Sequence, residues 1–197
     1  IPVNIKPKKL LDGIVRAKQR ILKPDECGDE FPRVFLSVYT TYQNLLEIER
    51  LYDYEDLIFN AVRILETDHR FCETCRDLFR FIFVDEHQDL NYGQYRLIKA
   101  LVPPGSNRNI CVIGDPDQSI YGFRGSNVQY FKRFVKDYPG AEVVKLTKNY
   151  RSTQTILDAS YQVIKPQKKD GCKERIYSEI HGEKTIRVID TYSEKSE

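Results

Sequence analysis

Phe81-Ile82-Phe83-Val84-Asp85-Glu86-His87-Gln88-Asp89 decides how this chain is read. Four apolar residues without alternation are the pattern of a strand covered on both faces of a parallel sheet, and here they run straight into an acidic, polar cluster. Two further stretches repeat the arrangement. Ile110-Cys111-Val112-Ile113 leads into Gly114-Asp115-Pro116-Asp117-Gln118, and Val143-Val144-Lys145-Leu146 leads into Thr147-Lys148-Asn149-Tyr150-Arg151-Ser152. Helical spacing fills the intervals at about 91–102 and 127–138, the second with Val128, Phe131, Phe134 and Tyr138 on one face. The order is βαβαβ, an α/β fold with a parallel sheet. In such a sheet ligands bind at the carboxyl ends of the strands, where loops and helix N-termini converge.

Upstream of this core the pattern is helical. Leu10, Leu11, Ile14, Val15, Ile21 and Leu22 recur at helical spacing between Pro7 and Pro24, which predicts an amphipathic helix closed by prolines at both ends. Its polar side is basic: Lys6, Lys8, Lys9, Arg16, Lys18, Arg20 and Lys23 face only Asp12. Asp25 to Phe31 reads as a loop. Val34 to Arg50 carries a second helical pattern, although Val34 to Val38 also fits a strand. A third helix starts at Asp53, a good N-cap, with Leu57, Ile58, Ala61, Val62 and Leu65 as its buried stripe. Downstream, one more helix is predicted from Thr153 to Ile164, then a Lys-rich turn from Lys165 to Lys173 and a strand from Thr185 to Ile189.

Composition narrows the functional classes. The 197 residues hold 31 Lys plus Arg against 29 Asp plus Glu, a formal charge of +2, so there is no general excess for binding polyanions. An apolar content of 41% with 12% aromatics fits a packed globular chain and excludes extensive disorder. No apolar run approaches the ~18 residues needed to span a bilayer, and Ile1-Pro2-Val3-Asn4 lacks the layout of an export signal, so neither membrane nor export is expected. Cys27, Cys72, Cys75, Cys111 and Cys172 are too few and too irregular for a disulfide scaffold, which points to a reducing, cytoplasmic setting. There is no Met, not even at position 1, and the expectation is a segment of a longer chain.

The polar clusters are where chemistry is expected. A strand ending in Asp-Glu is how a nucleotide hydrolase sets one carboxylate on Mg²⁺ and a second beside the attacking water. Taken together, Val84-Asp85-Glu86-His87-Gln88-Asp89, Gly114-Asp115-Pro116-Asp117-Gln118-Ser119-Ile120-Tyr121-Gly122-Phe123-Arg124-Gly125 and Asn149-Tyr150-Arg151-Ser152 resemble motifs II, III and IV of the superfamily 1 DNA helicases of the UvrD, Rep and PcrA type. Tyr52-Asp53-Tyr54-Glu55-Asp56-Leu57 is similar to the acidic-aromatic motif that precedes motif II there. The resemblance runs along essentially the whole chain.

It implies a set of roles. Asp85 would hold Mg²⁺, directly or through water, and Glu86 would activate the hydrolytic water of ATP cleavage. Gln118 would sense the γ-phosphate. Arg124 would lie near that phosphate or pair with Glu86, and Arg151 would stabilise charge on the transferred phosphoryl group, a role worth ~10³ to 10⁵ in rate in phosphoryl transfer generally. Tyr150 would stack on adenine. Phe123 and Tyr121 would meet single-stranded DNA, because stacking on an aromatic ring tolerates any base. One short loop would then link fuel to track. Two residues depart from the family pattern: His87 stands where many relatives carry Tyr or Phe, and Phe123 where many carry Trp.

The resemblance also implies an architecture: a partial RecA-like P-loop NTPase core with a parallel sheet, plus an N-terminal helical subdomain. Residues 1–50 would belong to a 1B-like helical subdomain, 51–149 to the second half of domain 1A, and 150–197 to the start of domain 2A. No G-x-x-x-x-G-K-[ST] occurs, so the loop that cradles the β- and γ-phosphates is missing. The expectation is a segment of an ATP-dependent 3′–5′ helicase or translocase, inactive alone, whose partners are single-stranded DNA, single-strand/duplex junctions and the remaining helicase domains. The basic helix between Lys6 and Lys23 either touches duplex DNA or is a solvated face.

Two other readings stay open. One is a non-catalytic nucleic-acid-binding or scaffold module derived from a degenerate helicase. The other is a metal nuclease using Asp85, Glu86 and Asp89. The Cys72-x-x-Cys75 pair with His69 reads as ordinary thiols on a helix, Cys111 as core, and Tyr39, Tyr42, Tyr92, Tyr95, Tyr130 and Tyr138 as packing residues.

Overall fold

The computed structural model describes residues 6–164, 175–182 and 186. The chain forms two compact units, Ile1–Ala141 and Glu142–Glu197.

In the first unit helix α1 (Pro7–Gln19) is the hub. Proline occupies its first turn, where a missing N–H costs nothing, and Arg16 and Lys18 sit at its negative end. Leu22 N–H closes the helix on the Ala17 carbonyl at 3.0 Å, which forces Ile21 to a φ of 60°. A β-branched residue is strained there, and its burial is what holds it. Ile14 and Ala17 of α1 pack with Cys27, Phe35 and Tyr39, while Ile21 packs with Phe59 and Val62. Each of these large apolar side chains contributes roughly 1.5–3 kcal/mol by leaving water. Phe35 and Tyr39 come from α2 (Arg33–Glu49) and Phe59 and Val62 from α3 (Tyr54–Thr67), so the segment from Val34 to Val38 is helix and not strand. The stretch expected as a loop folds as two short 3₁₀ turns, Pro24–Glu26 and Gly28–Glu30.

Helix α3 begins where the sequence predicts. Asp53 caps it by accepting from Asp56 N–H at 2.8 Å, and Asp56 returns the bond to Asp53 N–H at 3.1 Å. Helix α4 (His69–Leu78) follows, capped by Asp68. Strands β1 (Phe81–Val84) and β2 (Asn109–Val112) pair in parallel with Phe81 opposite Asn109 and Val84 opposite Val112, joined through α5 (Tyr92–Leu101). Helix α6 (Gln129–Asp137) completes the unit.

Two expectations about the sheet need correction. Residues 143–146 form no strand: Val143, Val144 and Leu146 are exposed, and no strand among the described residues forms a ladder with this stretch. An apolar run supplies the propensity for a strand, but only a neighbouring ladder makes one. Nor do the described residues cover the sheet on both faces. Ile82 and Val84 are half-buried, whereas Phe81 and Phe83 are 67% and 71% exposed. Cys111, expected in the core, shares that exposed face.

The second unit is a smaller βαβ arrangement. Strand β3 (Lys148–Asn149) pairs in parallel with β4 (Tyr177–Ser178), and α7 (Gln154–Ile164) lies between them in sequence. Ser178 N–H donates to Gln154 Oε1 at 2.9 Å, and Lys148 pairs with Glu179 at 2.6 Å. The expected Lys165–Lys173 turn and, Ile186 aside, the 185–189 strand lie outside the described residues.

Candidate nucleotide and nucleic-acid site

Parallel, in-register pairing delivers the ends of β1 and β2 to one edge. The ladder continues past both strands: Ile113 N–H donates to the Val84 carbonyl at 2.8 Å and His87 N–H to the Ile113 carbonyl at 2.9 Å. Between those bonds Asp85 and Glu86 turn outward and are exposed. Glu86 takes a left-handed backbone, φ 49° and ψ 40°, which lets the chain reverse into the short turn His87–Asp89. Its N–H is held by Asp85 Oδ1 at 2.9 Å.

Behind Glu86 lies Gln88, only 1% exposed. Its Nε2 donates to Glu86 Oε2 at 2.6 Å, and its Oε1 accepts from Asp115 N–H at 3.1 Å. Asp115 in turn organises the loop after β2. Its Oδ1 accepts from Asp117 N–H at 3.0 Å, and its Oδ2 accepts from Gln118 Nε2, also at 3.0 Å. A continuous hydrogen-bonded path, Glu86–Gln88–Asp115–Gln118, therefore joins the two polar clusters. Gly114 makes this possible: a Cβ there would lie 2.3 Å from Gln88 Oε1, 3.1 Å from Phe131 and 3.2 Å from the His87 nitrogen.

His87 faces inward, 1% exposed, with Phe131 and Phe134 around it at centroid distances of 5.8 and 5.5 Å. Burial pushes its imidazole down to about 4, so it is neutral at pH 7. Its Nδ1 has no hydrogen-bond partner among the described residues. An aromatic ring would fill the same place without that unmet atom.

Beyond Gln118 the chain makes the 3₁₀ turn Gly122–Arg124, ended by Gly125 at a φ of 92°, a conformation that favours glycine. Phe123 is 81% exposed and Tyr121 40%. Their rings lie 6.2 Å apart, and the Arg124 guanidinium sits 5.1 Å from the Tyr121 ring and 5.4 Å from the Phe123 ring. The loop thus offers two aromatic faces and a cation to solvent, the combination that suits bases and phosphates.

In the second unit Tyr150 is 78% exposed, with Lys148 Nζ 5.4 Å from its ring. Arg151 is exposed as well, and Asn149 Oδ1 shapes its turn by accepting from Arg151 N–H at 2.9 Å and Ser152 N–H at 2.7 Å.

Two residues that matter to the arrangement escape a sequence reading. Gln88 looks like one more polar residue in an acidic cluster. Lys18 looks like part of a solvated basic face, yet it is 1% exposed and its Nζ lies 2.6 Å from Asp53 and 2.8 Å from Asp56. Asp53 and Asp56 of the Tyr52–Leu57 motif are therefore anchors for α1. Burial alone would raise the Asp53 carboxyl, but Lys18, Asp56 N–H and Tyr42 together hold it below the usual carboxylate range.

Asp85, Glu86 and Asp89 do not gather into a three-ligand metal cluster, and no such group of His, Cys, Asp and Glu occurs among the described residues. Cys72 Sγ instead donates to the Ala100 carbonyl at 3.7 Å, and Tyr39 and Tyr42 donate to Leu22 O and Asp53. No helix among the described residues is long and apolar enough to cross a membrane.

Comparison with known proteins gives a consistent result. The family model described as the UvrD/REP helicase N-terminal domain matches residues 3–139. The ATP-dependent DNA helicase PcrA of Staphylococcus aureus is 36% identical over 198 aligned positions, covering 98% of this chain and 27% of that protein. PcrA of Bacillus subtilis is 38% identical over 168 positions, covering 83% of this chain and 22% of the relative. The ATP-dependent DNA helicase UvrD1 of Mycobacterium bovis is 38% identical over 170 positions, with 80% and 22% covered. The chain thus spans about a quarter of the length of the curated relatives it matches.

Proposed function

Because the chain belongs to the UvrD/REP helicase family, we propose that it is a segment of an ATP-dependent DNA helicase or translocase that moves 3′ to 5′ on single-stranded DNA and engages single-strand/duplex junctions. The segment alone is inactive, because it has no phosphate-cradling glycine loop. The β1–β2 edge is the later half of a RecA-like core, with residues 1–50 as a 1B-like helical part, 51–149 as the second half of domain 1A and 150–197 as the opening of domain 2A.

One observation carries this reading: Glu86 and Gln118 stand on one sheet edge and are tied to the same residue, Asp115, the first through a single amide and the second directly. A water-activating carboxylate and a γ-phosphate sensor need that proximity, because both address one phosphorus atom. Asp85 fits Mg²⁺. It is exposed and uses Oδ1 on Glu86 N–H, and Mg²⁺ in nucleotide sites takes one or two carboxylates, with phosphate and water filling the remaining positions. The ion supplies neutralisation of phosphate charge. Glu86 orients the attacking water and accepts its proton, and Gln118 leaves Asp115 to meet the γ-phosphate. Arg124, now stacked on Tyr121 and Phe123, is close enough in sequence to report that change to the aromatic turn. Tyr150 stacks on adenine and Arg151 meets the transferring phosphoryl group.

The test is Glu86→Gln in the full-length helicase that carries this segment. DNA-stimulated ATP turnover should vanish while nucleotide binding persists. Turnover at the parent rate would overturn the reading and favour a scaffold, and DNA-stimulated turnover by the 197-residue chain alone would refute its inactivity.

A further inference from the structure

We infer that Gln88 is a positioning residue that sets the carboxylate of Glu86 relative to the Gln118 loop, an inference that rests on the hydrolytic role proposed for Glu86. The case begins with burial. At 1% exposure the Gln88 amide has no solvent to turn towards, so every polar atom on it must find its partner inside the protein. It finds two of opposite kind. The Glu86 carboxylate only accepts, so it requires the amide nitrogen, and the Asp115 backbone N–H only donates, so it requires the amide oxygen. Turning the amide over would set oxygen against carboxylate and NH₂ against N–H, and both contacts would repel. Gln88 therefore has one orientation, and through it Glu86 has one preferred direction.

The surroundings lock the amide further. Ser119 Oγ donates to the Gln88 backbone carbonyl at 3.3 Å, which fixes the main chain from which the amide projects, and the absence of a side chain at Gly114 is what admits Oε1 to its place. Because Asp115 also accepts from Gln118, a shift of the Gln118 loop moves the donor that anchors Gln88. Glu86 is exposed, and among the described residues the 2.6 Å bond from Gln88 is the side-chain hydrogen bond that orients its carboxylate before a nucleotide arrives. The titratable groups packed about this amide are Asp85, Glu86, His87 and Asp89 on its own segment and Asp115 opposite. His87 is turned away towards Phe131 and Phe134.

The experiment uses the full-length helicase with two variants and one control. Gln88→Glu keeps the shape but places a second carboxyl against Glu86. Two carboxyls at that distance share a proton, so the acidic limb of the kcat–pH profile for DNA-stimulated ATP hydrolysis should move to higher pH by about one unit or more. Gln88→Leu removes the tether and should lower kcat about tenfold or more, with KM for ATP within about twofold of the parent, since binding groups are untouched. A Gln88→Glu enzyme whose acidic limb coincides with the parent's would overturn the inference, as would parental kcat in Gln88→Leu. Should Gln88→Leu fail to fold, the pH profile of Gln88→Glu still decides. Glu86→Gln serves as the control. Parental turnover in that variant refutes the role of Glu86 itself, whereas its loss together with an unmoved Gln88→Glu profile refutes only the part assigned to Gln88.

Discussion

The Lys18 ammonium lies 2.8 Å from the Asp56 carboxylate, and both side chains are 1% exposed. With Asp53 at 2.6 Å as well, one buried cation bridges the two acids that cap α3 and thereby ties α1 to α3. Removing one partner of such a set leaves an uncompensated buried charge, whereas removing all of them need not. Lys18→Met is expected to destabilise the chain by about 3–5 kcal/mol in urea unfolding. Combining it with Asp53→Asn and Asp56→Asn should restore most of that loss, because Asn still caps a helix. A single variant within about 1 kcal/mol of the parent would show that the cation is not holding the helices together.

His87 gives a pH dependence whose sign follows from its depressed value. The folded imidazole, pushed down to about 4, stays neutral where the unfolded chain, at ~6.5, takes up a proton. The unfolded state binds more protons between those values, so stability is complete above about pH 6.5 and falls as the pH drops towards 4, by roughly 3 kcal/mol in all. His87→Phe should abolish that component and also remove the unpartnered Nδ1. Urea midpoints at pH 7.5 and pH 5 provide the check. Parallel losses in parent and variant would assign the acid sensitivity to other groups.

Phe123 is the most exposed aromatic of its loop. If it stacks on a base, Phe123→Ala in the full-length helicase should weaken single-stranded DNA binding by ~1–3 kcal/mol, roughly 5- to 150-fold, with no dependence on base sequence. Phe123→Trp should hold or tighten binding. Equal dissociation constants for the alanine variant and the parent, measured by fluorescence anisotropy at one salt concentration, would take the residue out of the interface.

Gly114 is constrained by space alone. Gly114→Ala would drive a methyl group into Gln88 Oε1 and towards the backbone of His87, so it should cost about 1–3 kcal/mol of stability. The same change should slow ATP turnover in the full-length helicase, because the amide that aims Glu86 is displaced. A stable variant with parental turnover would mean that the β2 edge yields easily.

What could be read from the sequence divides along physical lines. Helices announce themselves locally: the Asp53 cap and Pro7 in the first turn stand where they are predicted. Of the α3 stripe Val62 and Leu65 are buried and Ile58 and Ala61 half-buried, whereas Leu57 is 60% exposed and Phe59 is buried in its stead. The run from Phe81 to Val84 is a strand as read, and β2 begins one residue earlier than its apolar run. Residues 143–146 show the limit, because a strand is completed by a partner that the run itself does not name. The exposure of Phe83 and Cys111 has the same origin, since hydrophobicity says that a face wants cover and not that it has any. Lys18 and Gln88 are hidden for a different reason. Nothing adjacent to Lys18 distinguishes it from the solvated lysines of its helix, and its partners are 35 and 38 positions away. Gln88, like His87 beside it, differs from Asp85 and Glu86 by pointing inward, which the order of residues does not announce.

The left-handed backbone at Glu86 sets durability against chemistry. A non-glycine residue in that region costs roughly 1–2 kcal/mol relative to ordinary helical geometry, and glycine escapes most of that cost. Glu86→Gly should accordingly melt at a higher temperature than Glu86→Ala in a calorimetric comparison, although both lack the carboxylate. A sequence drawn for thermal endurance alone would place glycine at this corner, and under the hydrolytic role proposed for Glu86 the acid found there is a concession of heat resistance to reactivity.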